Sequence, residues 1–249
     1  MRDVKYVDAH CHIEDKAFNK NRDEVIERAK KEDVIIVTSG ASLGGCLRAL
    51  ELRKKYNIYL TLGYHPSRVK ADDKVIEKVY NLIKNNEYEI LAIGEIGMDI
   101  KDENYKRQEE IFKKFLSLAE ELNKPIVVHA RGFERKIFDI AKDKVDIMFH
   151  CYSGDVELAK EIGKEGHLIS ISTLVCFSEH HKKLVESLDL EYLTTETDSP
   201  YLSPIKGTKN EPKNVKLVIE EIAKIKEMEV EEVKDVIYKN TCKFFKRRL

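Results

Sequence analysis

The sequence carries no surplus charge, no CxxC pair, no linker rich in Pro, Gly or Ser, and no apolar run long enough to span a bilayer. Each absence removes a class of protein. The 44 Lys and Arg residues against 45 Asp and Glu leave a net charge of -1, so no global field draws the chain to nucleic acid or to an anionic membrane, and any polyanion site must be local. The five cysteines, Cys11, Cys46, Cys151, Cys176 and Cys242, are odd in number and scattered. That pattern argues against a disulfide framework or a thiolate zinc site and points to a reducing cytoplasm. Met1-Arg2-Asp3-Val4 leads into an extended pattern without the apolar stretch of a signal peptide, so no membrane association is expected. Glutamine is nearly missing as well: Gln108 stands alone in a chain that is 36% charged, mostly Lys and Glu. This bias resembles the thermophile trend toward ion-pair networks, and an unfolding midpoint above the ordinary mesophile range is the expectation.

What is present is a rhythm. With 249 residues and 42% hydrophobic content the chain can bury a full core. Extended runs alternate with helical ones: strands are expected near Val4–Val7, Asp33–Thr38, Ile58–Leu62, Ile90–Gly94, Ile126–His129, Val145–Phe149, Leu168–Ile171 and Tyr192–Glu196. Helices are expected at Asn21–Lys31, Leu43–Lys55, Asp73–Lys84, Tyr105–Leu122, Phe133–Ala141, Val156–Lys164 and Glu179–Leu188. Eight strand–helix units in about 200 residues, uninterrupted by a linker, predict a single α/β domain over residues 1–249, a closed (β/α)8 TIM barrel. The helical pattern from Pro212 to Leu249 supplies the last outer helix and an added C-terminal helix, with Lys246-Arg247-Arg248 as a solvated end.

In such a barrel chemistry collects where strands end. His10 and His12, two apart on one extended segment, share a face and could grip one cation. Glu95, His129, His150 and Asp198 fall at the ends of later strands, and an apolar run closing on His or Glu has no packing motive unless the polar group finds a partner. Four imidazoles and two carboxylates suit Zn, Mn, Mg or Co better than a soft metal, and six ligands suit two divalent ions. The expected division is His10, His12, Glu95 and Asp198 on one ion and a bridging Glu95 with His129 and His150 on the other. A hydroxide bridging the metals would be the nucleophile and Asp198 its general base.

The blocks Asp8-Ala9-His10-Cys11-His12, Gly94-Glu95-Ile96-Gly97-Met98-Asp99, Pro125 to Arg131, His150-Cys151-Tyr152-Ser153-Gly154 and Glu196-Thr197-Asp198-Ser199-Pro200, in this order, resemble the signatures of the TatD-type metal-dependent deoxyribonucleases. The resemblance spans essentially the whole chain and implies a barrel of the amidohydrolase-related superfamily that hydrolyses DNA phosphodiesters. Its expected partner is DNA, single-stranded or at an end, since a recessed mouth suits a thin strand; no protein partner is evident, and a monomer or weak oligomer is expected. The competing reading is an amidohydrolase-type enzyme acting on amide, lactone or phosphotriester substrates. Many of those bridge their metals with a carbamylated lysine, whereas the fourth strand here carries Glu95 and no lysine. Ile100, where the family often has an aromatic, and Lys209, where Arg is commoner, depart from the pattern without touching a proposed ligand.

The remaining polar residues take supporting roles. His65, in a Gly-x-His-Pro block like the family's, is read as a hydrogen-bond donor to substrate phosphate. Arg131 is read as a guanidinium fork for phosphate, its alternative being a rim pair with Glu134. Asp8 and Glu196 are expected to orient ligands from deeper in the barrel. His167, His180 and His181 are read as structural, Cys11 and Cys151 as packing residues. Lys206, Lys209 and Lys213 could guide a nucleic-acid backbone, and Tyr64, Tyr152 and Tyr201 could stack on bases.

Overall fold

Short runs of β-branched residues flanked by capped amphipathic helices wind here into one cylinder. The computed structural model describes residues 4–249; Met1, Arg2 and Asp3, on which the expectation of no signal peptide partly rests, lie outside the described residues. The strands are β1 (Tyr6–Cys11), β2 (Val34–Gly40), β3 (Tyr59–Leu62), β4 (Ile93–Gly97), β5 (Ile126–His129), β6 (Ile147–Phe149), β7 (Leu168–Ile171) and β8 (Leu193–Thr195). They pair in sequence order and all pairs are parallel. The two edges meet where His12 N donates to Ser199 O at 2.7 Å and Asp198 N to His10 O at 3.1 Å. The result is the expected nearly closed TIM barrel.

Between the strands run α1 (Arg22–Lys31), α2 (Leu43–Lys55), α3 (Asp73–Asn85), α4 (Tyr105–Glu121), α5 (Glu134–Ala141), α6 (Val156–Lys164), α7 (Glu179–Ser187) and α8 (Val215–Lys226). Local chemistry starts several of them: Ser42 accepts from Gly45 N, Asp72 from Lys74 N, and Asp155 from both Glu157 N and Leu158 N. Each helix then buries one stripe, as α3 does with Ile76, Val79 and Ile83 against the outside of the strands.

A separate apolar cluster fills the lumen. Val7, Ala9, Val37, Leu91, Ala92, Val127, Met148 and Leu168 meet Phe244 and Phe245 there, the aromatic pair at the end of α9 (Val230–Phe244). The added C-terminal helix thus stoppers the barrel at the face opposite the strand ends. It is held by Asn240, whose amide donates to Leu190 O and Leu193 O at 2.9 Å each.

Two expectations need correction. The fourth strand runs Ile93–Gly97 rather than Ile90–Gly94. The apolar Ile90-Leu91-Ala92 segment is buried, but the paired register with β5 begins only at Ile93 opposite Ile126, so burial precedes strand pairing and Glu95 lies within β4. The basic end is also less free than expected: Lys246 pairs with Asp146 at 3.1 Å and Arg247 lies over the Tyr59 ring at 5.7 Å.

Candidate metal centre

The strand ends open into a cleft of about 560 Å³ lined by His12, Glu95, His129, His150 and Asp198, with His10 buried behind them. Glu95 stands in the middle. Its Oε2 is 3.0 Å from His150 Nε2, 3.7 Å from His129 Nδ1 and 3.8 Å from His10 Nε2, and its Oε1 is 3.6 Å from His12 Nε2. Asp198 Oδ1 lies 3.4 Å from His12 Nε2 and 3.9 Å from His10 Nε2. Ligand atoms about 2.1 Å from a shared tetrahedral cation stand roughly 3.4 Å from one another, so this spacing matches a coordination shell.

The backbone is shaped for that convergence. Gly97 has a φ of 145°, and a Cβ there would stand 1.9 Å from His129 O; a Cβ on Gly63 would stand 2.4 Å from Glu95 O. Only glycine lets β3 and β5 close this tightly around the Glu95 segment. Asp198 adopts a left-handed φ of 54°, fixed by its N–H to His10 O, and so turns its carboxylate over the mouth.

Three of the four imidazoles have their outer nitrogen claimed. His12 Nδ1 is 2.9 Å from Ser39 O, His129 Nε2 is 2.8 Å from Asp99 Oδ2, and His150 Nδ1 is 3.3 Å from Glu196 Oε1. A carbonyl or carboxylate partner takes an N–H, which leaves the inner nitrogen's lone pair facing the cleft. His129 Nδ1 and His150 Nε2 consequently meet at 3.2 Å. His10 is 1% exposed, and neither of its ring nitrogens has a hydrogen-bond partner among the described residues. With the rings neutral, such an arrangement of lone pairs fits a cation.

Asp99 is the residue that strand-end reasoning missed. It orients His129 and also takes Arg131 Nη1 at 3.3 Å, so Arg131 pairs with Asp99 rather than with Glu134. Its signal was available, since Asp99 sits just past β4 and in a barrel that loop must neighbour β5. Glu14, beside His12 Nδ1 at 3.5 Å and bonded by Thr38 Oγ1 at 2.7 Å, was also missed. Of the two expected orienting acids, Glu196 holds His150 and is itself bonded by Ser170 Oγ at 2.6 Å. Asp8 instead accepts from Thr197 N at 2.8 Å and Thr197 Oγ1 at 2.6 Å, fixing the segment that carries Asp198 without touching a ligand.

His65 lies 3.9 Å from Glu95 Oε1 through Nε2, while its Nδ1 accepts from Ser67 N at 3.0 Å. In the neutral ring the proton is then on Nε2, which makes His65 a donor into the cleft although its position is close enough for a ligand. Tyr201 lines the cleft, half exposed, its ring 6.2 Å from that of His12. Tyr64 is buried against Phe115, and Tyr152 is buried with its hydroxyl donating to Asp155 O. Lys209 donates to Ala17 O at 2.8 Å, which commits its charge to the loop. Cys11 packs in the core near Val37 O, Cys151 contacts Ser172, His167 accepts from Ile147 N, His180 meets Gly154 O, and His181 bridges Ser153 and Ser178.

Electrostatically the floor is tuned to hold positive charge. Burial pushes the Glu95 carboxyl up, yet the surrounding histidines, His65 foremost, hold it well below the usual carboxylate range. Burial, reinforced by His150, drives His10 well below its ordinary value, so that ring is neutral. Burial also lowers His12 and His150, but Asp198 and Glu14 beside the first, and Glu196 and Glu95 beside the second, raise both well above the ordinary value. Against its own burial, Asp99 is held down at about 2, chiefly by the His129 hydrogen bond. A divalent ion entering here would exchange with protons.

Comparison with known proteins shows the family. The family model described as TatD related DNase matches residues 7–246. The Homo sapiens protein named deoxyribonuclease TATDN3 is 32% identical over 260 residues, covering 97% of this chain and 95% of that one. The Bacillus subtilis (strain 168) uncharacterized metal-dependent hydrolase YabD is 34% identical over 252 residues, covering 96% and 98%. Among solved structures, the TatD homolog YJJV from Escherichia coli K12 superposes with a TM-score of 0.90 at 23% identity over 98% of each chain, a likeness of fold. A barrel whose strand ends gather these imidazoles and carboxylates, matched along nearly its entire length, belongs to the TatD related DNase family of metal-dependent hydrolases.

Proposed function

We propose that this enzyme hydrolyses DNA phosphodiester bonds, with His10, His12, Glu95 and Asp198 holding one divalent cation and Glu95, His129 and His150 a second. The observation that carries the reading is the buried set of lone pairs: His10 without a hydrogen-bond partner among the described residues, and the 3.2 Å approach of His129 Nδ1 to His150 Nε2 with both outer nitrogens claimed. Relatives named as deoxyribonucleases at about one-third identity support the substrate. When bound, the cations supply Lewis acidity toward the phosphate and lower the pKa of water.

The chain's own groups do the rest. Asp198 Oδ1 takes the proton of the attacking water, being the carboxylate on the loop over the mouth. His65 Nε2–H donates to a non-bridging phosphate oxygen. Arg131, half exposed and steadied by Asp99, offers its free N–H groups to the same phosphate or its neighbour. Glu196, Asp99 and Ser39 O hold the three rings so that the receiving nitrogens do not rotate. The five free thiols support a reducing cytoplasm as the setting.

Incubation of the purified chain with labelled DNA and Zn, Mn, Mg or Co, with and without chelator, tests the reading, and elemental analysis counts the ions. Metal-dependent cleavage is expected, and Asp198→Asn should lower kcat by about 10²–10⁴ without unfolding the protein. Cleavage unaffected by chelator, or an Asp198→Asn variant at the parent rate, would overturn it.

A further inference from the structure

Gln108, the only glutamine of the chain, is buried where its helix calls for an apolar side chain. Its place on α4 begins the inward stripe that continues through Ile111, Phe112 and Phe115. An amide in such a position costs free energy unless each of its polar atoms is bonded. In this protein each is bonded. Gln108 Oε1 accepts from Asp99 N at 2.8 Å, while Nε2 donates to Asp102 O at 2.8 Å, Asp99 O at 3.1 Å and Glu103 O at 3.3 Å. All four contacts fall on the backbone of one segment, the loop that leaves β4 and leads into α4.

That geometry decides which side chain can stand there. An N–H and several carbonyls are met from one planar group, which needs an acceptor beside an NH₂ donor. A carboxylate lacks the donor, and asparagine is a methylene short. What the amide holds is Asp99, gripped through both its N–H and its carbonyl. Asp99 Oδ1 accepts from Lys101 N at 2.8 Å, so Oδ2 is the oxygen left to face His129 Nε2 at 2.8 Å and Arg131 Nη1 at 3.3 Å. The loop is also tied to the His129 segment by Met98 N to His129 O at 2.9 Å and Ile100 N to Arg131 O at 3.0 Å. Those bonds set the separation of the two segments, and the amide sets how Asp99 is turned between them.

Resting on the reading of His129 as a ligand of the second cation, we propose that Gln108 is a positioning residue for that cation: its amide fixes the Asp99 carboxylate, which holds His129 Nε2 and Arg131. Among the described residues Gln108 hydrogen-bonds to none of the six ligands and acts through Asp99. The ligands belonging to the first cation alone, His10, His12 and Asp198, receive nothing from it.

Two readouts test this, and one needs neither turnover nor a bound ion. In protein carrying isotope-labelled histidine, as purified and after loading with zinc, the His129 Nε2 proton shared with the Asp99 carboxylate should give a downfield magnetic resonance. Gln108→Glu sets an oxygen against three carbonyls, and Gln108→Met keeps the volume and the apolar stripe; each should move that resonance upfield or broaden it away. Cobalt titration followed by visible absorption should show one of two binding steps weakened about tenfold and the other changed by less than about twofold. In an Asp99→Asn background, Gln108→Glu should change the same step by less than about twofold, because the route it uses is already cut. A purely structural glutamine would lower the unfolding midpoint, leave the resonance in place and add its full effect to that of Asp99→Asn. An unmoved resonance in both variants, equal weakening of both cobalt steps, or full additivity would overturn the proposal. A parent protein that takes up no second ion would remove the metal reading and leave the resonance to decide on Gln108. Two ions bound with the resonance unmoved would remove the role of Gln108 alone.

Discussion

The lumen of the barrel has two storeys built on the same strands, and they obey opposite rules. In the lower one Val37, Val127, Met148 and Leu168 pack with Phe244 and Phe245. Two residues further along the same strand faces stand Ser39, His129, His150 and Ser170. A step of about 7 Å therefore separates an apolar layer from a cluster of ionisable groups. The contrast teaches what each storey is for: the lower one fixes the strands relative to one another, so the upper one can keep like lone pairs in contact that would otherwise drift apart. On the proposed function, stability and chemistry lie on different residues of the same strands, and mutations should divide accordingly.

The largest effect expected within this contrast is on the lower storey. Met148 is fully buried, and Met148→Ala should cost about 2–5 kcal/mol of unfolding free energy, read from denaturant midpoints. The activity of the molecules that remain folded should fall far less than in Asp198→Asn. If Met148→Ala instead abolishes turnover at full stability, the two storeys are not separable.

Asp99→Asn probes the upper storey with almost no change in volume. Losing the carboxylate that holds His129 and Arg131 should lower metal affinity or activity about 10–100-fold, with the unfolding midpoint nearly unmoved. Parent-level metal affinity in this variant would mean that His129 does not need its outer partner.

The smallest effect concerns a histidine outside both storeys. His181 joins the loop after β6 to α7 through Ser153 and Ser178, and burial, aided by His180, lowers its pKa from 6.5 to about 4. The folded state thus refuses a proton that the unfolded chain accepts. Its contribution is whole above pH 6.5, declines as the pH falls from there, and is lost by about pH 4. Wild-type protein should therefore lose about 1–3 kcal/mol more than His181→Asn between pH 7 and 4. Equal acid sensitivity in the two proteins would place the acid lability elsewhere.

The rhythm of eight strand–helix units was legible because each unit is written locally, in a β-branched run, a cap and a 3.6-residue stripe. Helices such as Leu43–Lys55 and Val156–Lys164 begin and end where the pattern puts them. The fourth strand was misplaced by three residues because an apolar run records burial, and strand pairing depends on where β5 happens to lie. Among the site residues, His10, His12, Glu95, His129, His150 and Asp198 stood out because ionisable groups closing apolar strands are anomalous in any local reading. Asp99 and Glu14 are ordinary charged residues of loops, and nothing local separates them from the other charges.

The sequence by itself thus determined the barrel and the ring of nitrogens and oxygens at its mouth, since both follow from periodicity along single segments. The tertiary structure alone decided which nitrogen of each ring faces the cleft. That choice is made by Ser39 O, Asp99 and Glu196, acceptors contributed by other segments, and a proton settles on the side where the neighbour accepts it. Local pattern cannot encode a partner that only the closing of the barrel supplies.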